Sequence, residues 1–323
     1  MTASGGDQPP HPQAGVRSAR PQIAIIGAGR AGTALALALH GAGYRVVAVH
    51  SLSQGSAARL ARATGAEVVP TAVAAVRRAD LTLLTVPDKA ITPIAATVAA
   101  TGMALRDHAL VHCSGAQSSS ALAAARQGGA AVGACHPLMA LARGATGDTL
   151  RGAFFGIDAD TRLAPVLERM VADIGGIAFR APSGDRALYH AAAVLAGNAP
   201  LALLARAADL LVAAGVDAAI AGPALAHLLE GAAANARRMG PRQALTGPVV
   251  RDDAATVAAH LEALRPDPAS QRLYYRLAQE TLRVAGASGR EQVATLLAPP
   301  ARAPRGSSGR RSMPTGAPVA ARA

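Results

Sequence analysis

Four stretches of the chain carry residue types whose spacing could do chemistry. The first is Gly27-Ala28-Gly29-Arg30-Ala31-Gly32, a GxGxxG that follows the apolar run Ile23 to Ile26 and opens onto the alanine-leucine stretch Thr33 to Leu39. In a strand, tight turn and helix of this kind, Gly27 allows the turn, Gly29 admits a pyrophosphate to the backbone and Gly32 lets the helix lie against its strand. The phosphates then meet unpaired N–H groups at a helix N-terminus. The second stretch pairs two strand ends, His112-Cys113-Ser114-Gly115 and Cys135-His136-Pro137. Along an extended strand His112 and Ser114 point one way and Cys113 the other. Adjacent His and Cys therefore diverge, which argues against a metal site; Ser114, Gly115 and His136 are instead candidates for the substrate pocket, with His136 as a satisfied, partly buried histidine the competing reading.

Tyr189-His190 with Asn198 is the third stretch. Positions eight apart on a helix differ by about 80° of rotation, so His190 and Asn198 share a face with Val194 between them. A histidine can exchange a proton near neutral pH and an amide can hold a substrate in register, which makes this pair the candidate catalytic residues; the alternative is a histidine at a domain interface without chemistry. The fourth is Thr246-Gly247-Pro248 followed by Arg251, Asp252 and Asp253. Thr246, Gly247 and Arg251 could fix a substrate carboxylate, while Asp252 or Asp253 could N-cap the next helix, and both can hold together.

The elements that must position these residues follow from hydrophobic patterning. Arg45 to His50, Leu81 to Val86, Ala109 to Gly115, Ala131 to Pro137 and Ala153 to Asp158 read as strands among helices, with a helix over 163–174 and a short strand over 177–180. Val86 and Pro87, at the carboxyl end of a buried strand, would line the cofactor; Lys89, the only lysine, sits at a helix start and reads more simply as a solvated side chain. From Asp185 onward the signals are helical, over 187–214, 216–239, 254–264, 270–284 and 292–297, with Gly215, Gly240 and Pro266 as stops. Strands segregated from helices imply two domains: an N-terminal Rossmann-like dinucleotide-binding domain over 22–182 and an all-helical domain over 183–297. Unstructured tails are expected over 1–21 and 298–323.

Where an NAD-preferring sheet places an acid after the second strand, this chain has His50, Ser51 and Ser53, with Arg59 further on. Hydroxyls and a guanidinium suit a 2′-phosphate, so NADP is expected over NAD, with Ser51 beside it. The 323 residues carry a formal charge of +12, which raises nucleic acid or an anionic membrane as partners. But Arg302, Arg305, Arg310, Arg311 and Arg322 all fall in the C-terminal tail, so no specific nucleic acid is expected. No apolar run resembles a signal peptide or a membrane span, and two cysteines make no disulfide framework; a cytoplasmic protein without membrane attachment is expected.

The motifs together resemble a known family of bacterial proteins that join a Rossmann-like domain to a C-terminal domain of unknown function, DUF2520, provisionally labelled NADP-dependent oxidoreductases. The resemblance runs from about Gln22 to Val284. It rests on GAGRAG, Val86-Pro87-Asp88 with Ala90-Ile91, His112-Cys113-Ser114-Gly115, Cys135-His136-Pro137-Leu138, Tyr189-His190-Ala191-Ala192 with Asn198, and Ala244-Leu245-Thr246-Gly247-Pro248. It implies an architecture similar to 6-phosphogluconate and 3-hydroxyacid dehydrogenases and pyrroline-5-carboxylate and ketopantoate reductases, in which a helical C-terminal domain closes over the nicotinamide and commonly builds a homodimer. Two departures stand out. The hydroxyacid dehydrogenases use a lysine with an asparagine four residues on, where this chain has His190 and, eight residues on, Asn198. The family also usually has glycine between the arginine and aspartate after Thr-Gly-Pro, where this chain has Asp252. The expected activity is hydride transfer between NADP(H) and a small carbonyl, imine or hydroxy compound; the alternative is a non-catalytic NADP(H)-binding sensor or scaffold.

Overall fold

A computed structural model describes residues 20–142 and 144–298. The tails expected to be unstructured lie outside the described residues apart from Arg20, Pro21 and Ala298. The chain divides into two compact units, one up to Leu203 and one from Leu204.

The first unit is built on eight strands: β1 (Ile23–Ile26), β2 (Val46–His50), β3 (Glu67–Val68), β4 (Leu81–Leu84), β5 (Ala109–His112), β6 (Ala131–Pro137), β7 (Phe154–Ala159) and β8 (Ile177–Arg180). Their order across the sheet is β3-β2-β1-β4-β5-β6-β7-β8. All pairs are parallel except β6 with β7. Central strands covered on both faces read as near-continuous apolar runs, and β1, β4 and β5 are buried throughout, with Thr82 and His112 their polar members. Helices α1 (Arg30–Gly41), α2 (Gln54–Thr64), α3 (Ala72–Arg77), α4 (Asp88–Ala100), α5 (Ala123–Gln127) and α6 (Ala164–Asp173) fill the connections. One core layer joins α1, α2 and α6 to the sheet through Leu35, Leu39, Leu60, Phe155 and Leu167. The other uses Val76, Ile91, Val98 and Leu110 beneath α3, α4 and α5. Alternation along β5 and β6 sends Cys113 and Cys135 into the first layer, where burial pushes the Cys135 thiol up to about 12 and Cys113 well above its ordinary value. Both are thiols rather than thiolates at neutral pH.

The sheet order reverses between β1 and β4, which places a ligand crevice at their carboxyl ends. β3, α3 and α5 are too short to show a period, and the sequence reading does not contain them.

After β8 the chain becomes helical: α7 (Arg186–Gly197), α8 (Ala199–Ala213), α9 (Ala218–Met239), α10 (Pro241–Ala244), α11 (Ala254–Ala263), α12 (Pro268–Ala285) and α13 (Glu291–Leu296). In the second unit Val249, Val257, Ala278, Val293 and Leu297 form a small core. The two aspartates after Arg251 are caps. Asp253 accepts the Thr256 N–H (3.0 Å) and hydroxyl (2.7 Å) at the start of α11. Asp252 accepts the Val293 N–H (2.8 Å) and Gln292 N–H (3.3 Å) at the start of α13. Asp252 is also the one non-glycine with positive φ (58°) among the described residues, at the place where the resembled family usually has glycine. Aspartate tolerates the left-handed region, and its two bonds offset the conformational cost.

The stretch Arg186–Ala213, α7 and α8 read together, is long and apolar enough to cross a membrane by length and composition, and none of its apolar window is buried. Leu188 is 66% exposed and Leu195 71%. Of the described residues of α7 only Arg186 is buried, and in α8 none is.

Candidate functional site

The glycine turn follows β1 directly. Gly27 has φ +104°, and a Cβ there would lie 2.6 Å from the Thr85 carbonyl oxygen. At Gly32 a Cβ would fall 2.0 Å from the Gly27 carbonyl oxygen and 2.5 Å from Thr85 Oγ1. A Cβ on Gly29 would meet no heavy atom within 4 Å beyond its chain neighbours. These are the three requirements of a phosphate-binding turn: a left-handed backbone, close helix-to-strand packing and an open approach to the backbone. Gly29 caps α1 without a side-chain bond, and the first turn, Arg30, Ala31 and Gly32, carries no acid. Its N–H groups have no partner within the helix, and the dipole favours an anion there. Thr85, which the sequence reading passes over, ties the turn to β4: its hydroxyl donates to the Gly27 carbonyl at 2.7 Å. Ala28 is buried, Val86 is half-buried and Pro87 exposed, just past the end of β4.

Past β2, Ser51 is half-buried. Ser53 N-caps α2, accepting the Ser56 N–H at 3.4 Å. Arg59 folds back over that helix start and donates to Ser56 Oγ at 2.9 Å. Ser56 is a further hydroxyl at this edge, and its signal in the sequence is the Ser-x-x-Ser spacing of an N-cap.

β5 ends at His112, fully buried. Ser114 N–H donates to His112 Nδ1 (3.2 Å), while His112 Nε2 meets the Ser118 carbonyl (2.9 Å). That pattern requires one protonated and one bare ring nitrogen, a neutral imidazole, and burial holds its pKa below the ordinary value. The Ser114 hydroxyl accepts N–H groups from Ala116 (3.1 Å) and Gln117 (3.2 Å), so it shapes this loop, and Ser114 is itself buried.

Gly115 then brings two distant histidines together. A Cβ on it would lie 2.8 Å from His190 Nδ1 and 2.9 Å from His136 Nε2, so the absence of a side chain is what lets both rings rest on this backbone. The two rings meet edge to face with centroids 6.2 Å apart. His136 Nδ1 is hydrogen-bonded to the Tyr189 hydroxyl at 2.9 Å. Gly156 of β7 makes room for that hydroxyl, since a Cβ there would sit 2.6 Å from it. Beneath the Tyr189 ring lies Arg186, 4% exposed, its guanidinium 5.3 Å from the ring centroid and 4.0 Å from Asp158 Oδ2. Its three nitrogens have no hydrogen-bond partner among the described residues. The sequence carries no signal for this buried cation, because an arginine beside a helix N-cap ordinarily faces solvent.

Burial, with the His190 ring and the Arg186 charge nearby, lowers His136 from 6.5 to about 4. The unfolded chain therefore takes up its proton first as pH falls, and His136 contributes stability present above about pH 6.5 and lost progressively down to about pH 4. His136→Gln is expected to flatten that acid limb in urea denaturation between pH 7 and 4.5. An unchanged limb would show that His136 is not buried as an uncharged ring.

His136, His190 and Asn198 line one cleft of about 580 Å³ with Tyr189 and Phe179. Asn198 is the C-cap of α7 rather than a residue within one unbroken helix, yet its backbone N–H still donates to the Val194 carbonyl at 2.9 Å, which keeps it two turns beyond His190. His190 Nδ1 is buried and has no hydrogen-bond partner. Thr246, Gly247 (φ +100°) and Arg251 belong to the second unit, in the loop before α11.

The comparisons with known proteins agree with this architecture. Residues 7–137 match the model of a Rossmann-like domain, and residues 153–281 match that of a domain of unknown function, DUF2520. The chain thus joins a Rossmann-like segment to a DUF2520 segment. It is 28% identical to a Bacteroides fragilis protein provisionally described as an NADP oxidoreductase, with a TM-score of 0.66 over 82% of this chain and 99% of that one. A Thermotoga maritima protein is 26% identical, with a TM-score of 0.62 over 82% and 99%. A reductive aminase from Aspergillus terreus, solved with NADPH and ethyl levulinate, shares the fold at 20% identity and a TM-score of 0.58, over 86% and 98%. No curated protein matches the sequence.

Proposed function

We propose that the protein is an NADP(H)-dependent oxidoreductase that transfers a hydride between the nicotinamide and a small carbonyl, imine or hydroxy compound. The observation that carries this reading is the alignment at one edge of the sheet. The glycine turn after β1, Thr85 to Pro87 after β4, Gly115 after β5 and His136 in β6 follow one another along the carboxyl ends of adjacent strands. A dinucleotide laid from the turn toward β5 would present its reactive end to the imidazole cleft.

Gly27, Ala28, Gly29, Arg30, Ala31 and Gly32 would hold the pyrophosphate, Ser51, Ser56 and Arg59 the 2′-phosphate, and Val86 and Pro87 the nicotinamide side. When bound, the cofactor supplies or accepts the hydride. The chain's own part is proton exchange and alignment: His190 gives or takes the proton at the substrate oxygen or nitrogen, and Asn198, with the 114–115 loop, orients the substrate. The exposed apolar residues of α7, and those of α9 such as Ile220 and Leu228, support a homodimer that covers them.

Titration with NADPH and NADH, followed by NADPH oxidation on a panel of ketones, keto acids and imines, tests this reading. Tighter NADPH binding with oxidation by one substrate class is expected. Arg59→Ala should reduce the preference for NADPH over NADH by about tenfold, the loss of one charge-assisted contact. NADPH binding without oxidation across the panel would favour a sensor or scaffold, and binding of neither cofactor would overturn the proposal.

A further inference from the structure

The chemistry of the cleft wall narrows the substrate beyond a small carbonyl or imine, and the argument rests on the redox reading above. Hydride transfer folds of this kind could take a substrate anchored by a carboxylate, or one with no charge. The two demand different walls. A carboxylate taken out of water needs a fixed cation or several N–H donors, because an unpaired buried charge costs far more than an unpaired dipole.

No lysine, arginine, aspartate or glutamate is among the described residues that line the cleft. The wall is apolar over Leu138, Met139, Phe179 and Val194, and its polar groups are the His136 and His190 rings, the Tyr189 phenol and the Asn198 amide. His136 is committed at Nδ1 to Tyr189, and burial keeps its ring uncharged at neutral pH. The nearby cation, Arg186, does not line the cleft: it lies under the Tyr189 ring, 4% exposed, with Asp158 Oδ2 4.0 Å away. A carboxylate in the cleft would find no guanidinium on its wall to pair with. What the wall offers is hydrogen bonding from uncommitted groups of His190 and Asn198 and an apolar surface for the rest of the molecule, the pattern of a pocket for a neutral ligand.

We propose that the cleft between α7 and the ends of β5 and β6 takes an uncharged, largely apolar ketone or imine, and discriminates against the same skeleton carrying a carboxylate.

Two probes of nearly equal size separate charge from shape: methyl 4-oxocyclohexanecarboxylate and 4-oxocyclohexanecarboxylate. Their dissociation constants are measured on the full chain, with and without NADP+, by ligand-observed NMR. The ester is expected to bind at least about tenfold more tightly than the acid, the discrimination a single unpaired polar group imposes. Leu138→Arg, which sets a guanidinium in the partly exposed rim of the wall, is expected to narrow that ratio by about tenfold or more. Equal or tighter binding of the acid, an unchanged ratio in Leu138→Arg, or binding of neither probe at millimolar concentration overturns the inference. NADPH oxidation is read in parallel. Ester preference without oxidation leaves the binding class standing and removes the redox function; acid preference with oxidation does the reverse.

Discussion

Replacing His190 by alanine is expected to lower kcat/KM for the preferred ketone or imine by about 10²–10⁴-fold, the range of a positioned general acid or base, while NADPH affinity stays nearly unchanged. The separation follows from geometry. His190 stands on α7 against the Gly115 backbone, whereas the glycine turn is two strands away along the sheet, past β4. Its Nδ1 is buried without a partner, so the ring is not already committed to a structural bond as His112 is. His190→Gln keeps a hydrogen-bonding group of similar reach and cannot carry a proton through the pH range of an imidazole. It should retain substrate binding and lose turnover. A KM effect alone in both variants would make His190 a binding residue, and a parallel loss of NADPH affinity would make it part of the scaffold.

Gly29 and Gly32 are expected to fail in opposite ways. Gly32→Ala drives a Cβ to 2.0 Å from a backbone oxygen, which nothing nearby can yield to without opening the turn. It should cost at least about 1–3 kcal/mol of stability, the usual penalty of overpacking, with cofactor binding lost as a consequence. Gly29→Ala meets no protein atom within 4 Å and has φ −81°, a value any residue adopts, so the melting temperature should hold. Its methyl instead occupies the space a pyrophosphate needs, and the NADPH dissociation constant should rise by about tenfold or more. Isothermal titration and thermal melts on the two variants distinguish the cases. Unaltered NADPH affinity in Gly29→Ala would remove the turn from the cofactor site.

Much of the fold is legible in the residues because its signals are local. The apolar run from Ile23, the glycines and the alanine-rich stretch after them specify strand, turn and helix within twenty residues, and the structure has that order. The short strand over 177–180 and the helix limits near Gly240 and Pro266 are likewise written in patterning and stops. The pairing of His190 with Asn198 follows from helical period alone.

What the residues by themselves do not determine is which of these ends meet. Gly115, His136, Gly156 and Tyr189 come from the loop after β5, from β6, from β7 and from α7, and their approach depends on the antiparallel placement of β7 beside β6 and on register between strands far apart in sequence. Strand order and register are set by the sum of tertiary packing, to which no single segment carries the key. The same holds for Arg186, whose type predicts solvent and whose neighbours bury it under Tyr189, and for Asp252, whose positive φ is sustained by a helix forty residues on. Local patterning thus determined the elements and the cofactor turn. The tertiary structure alone decided that two glycines would clear the space in which two imidazoles and a phenol form one cleft, because a side chain's absence has meaning only against the neighbour that fills its place.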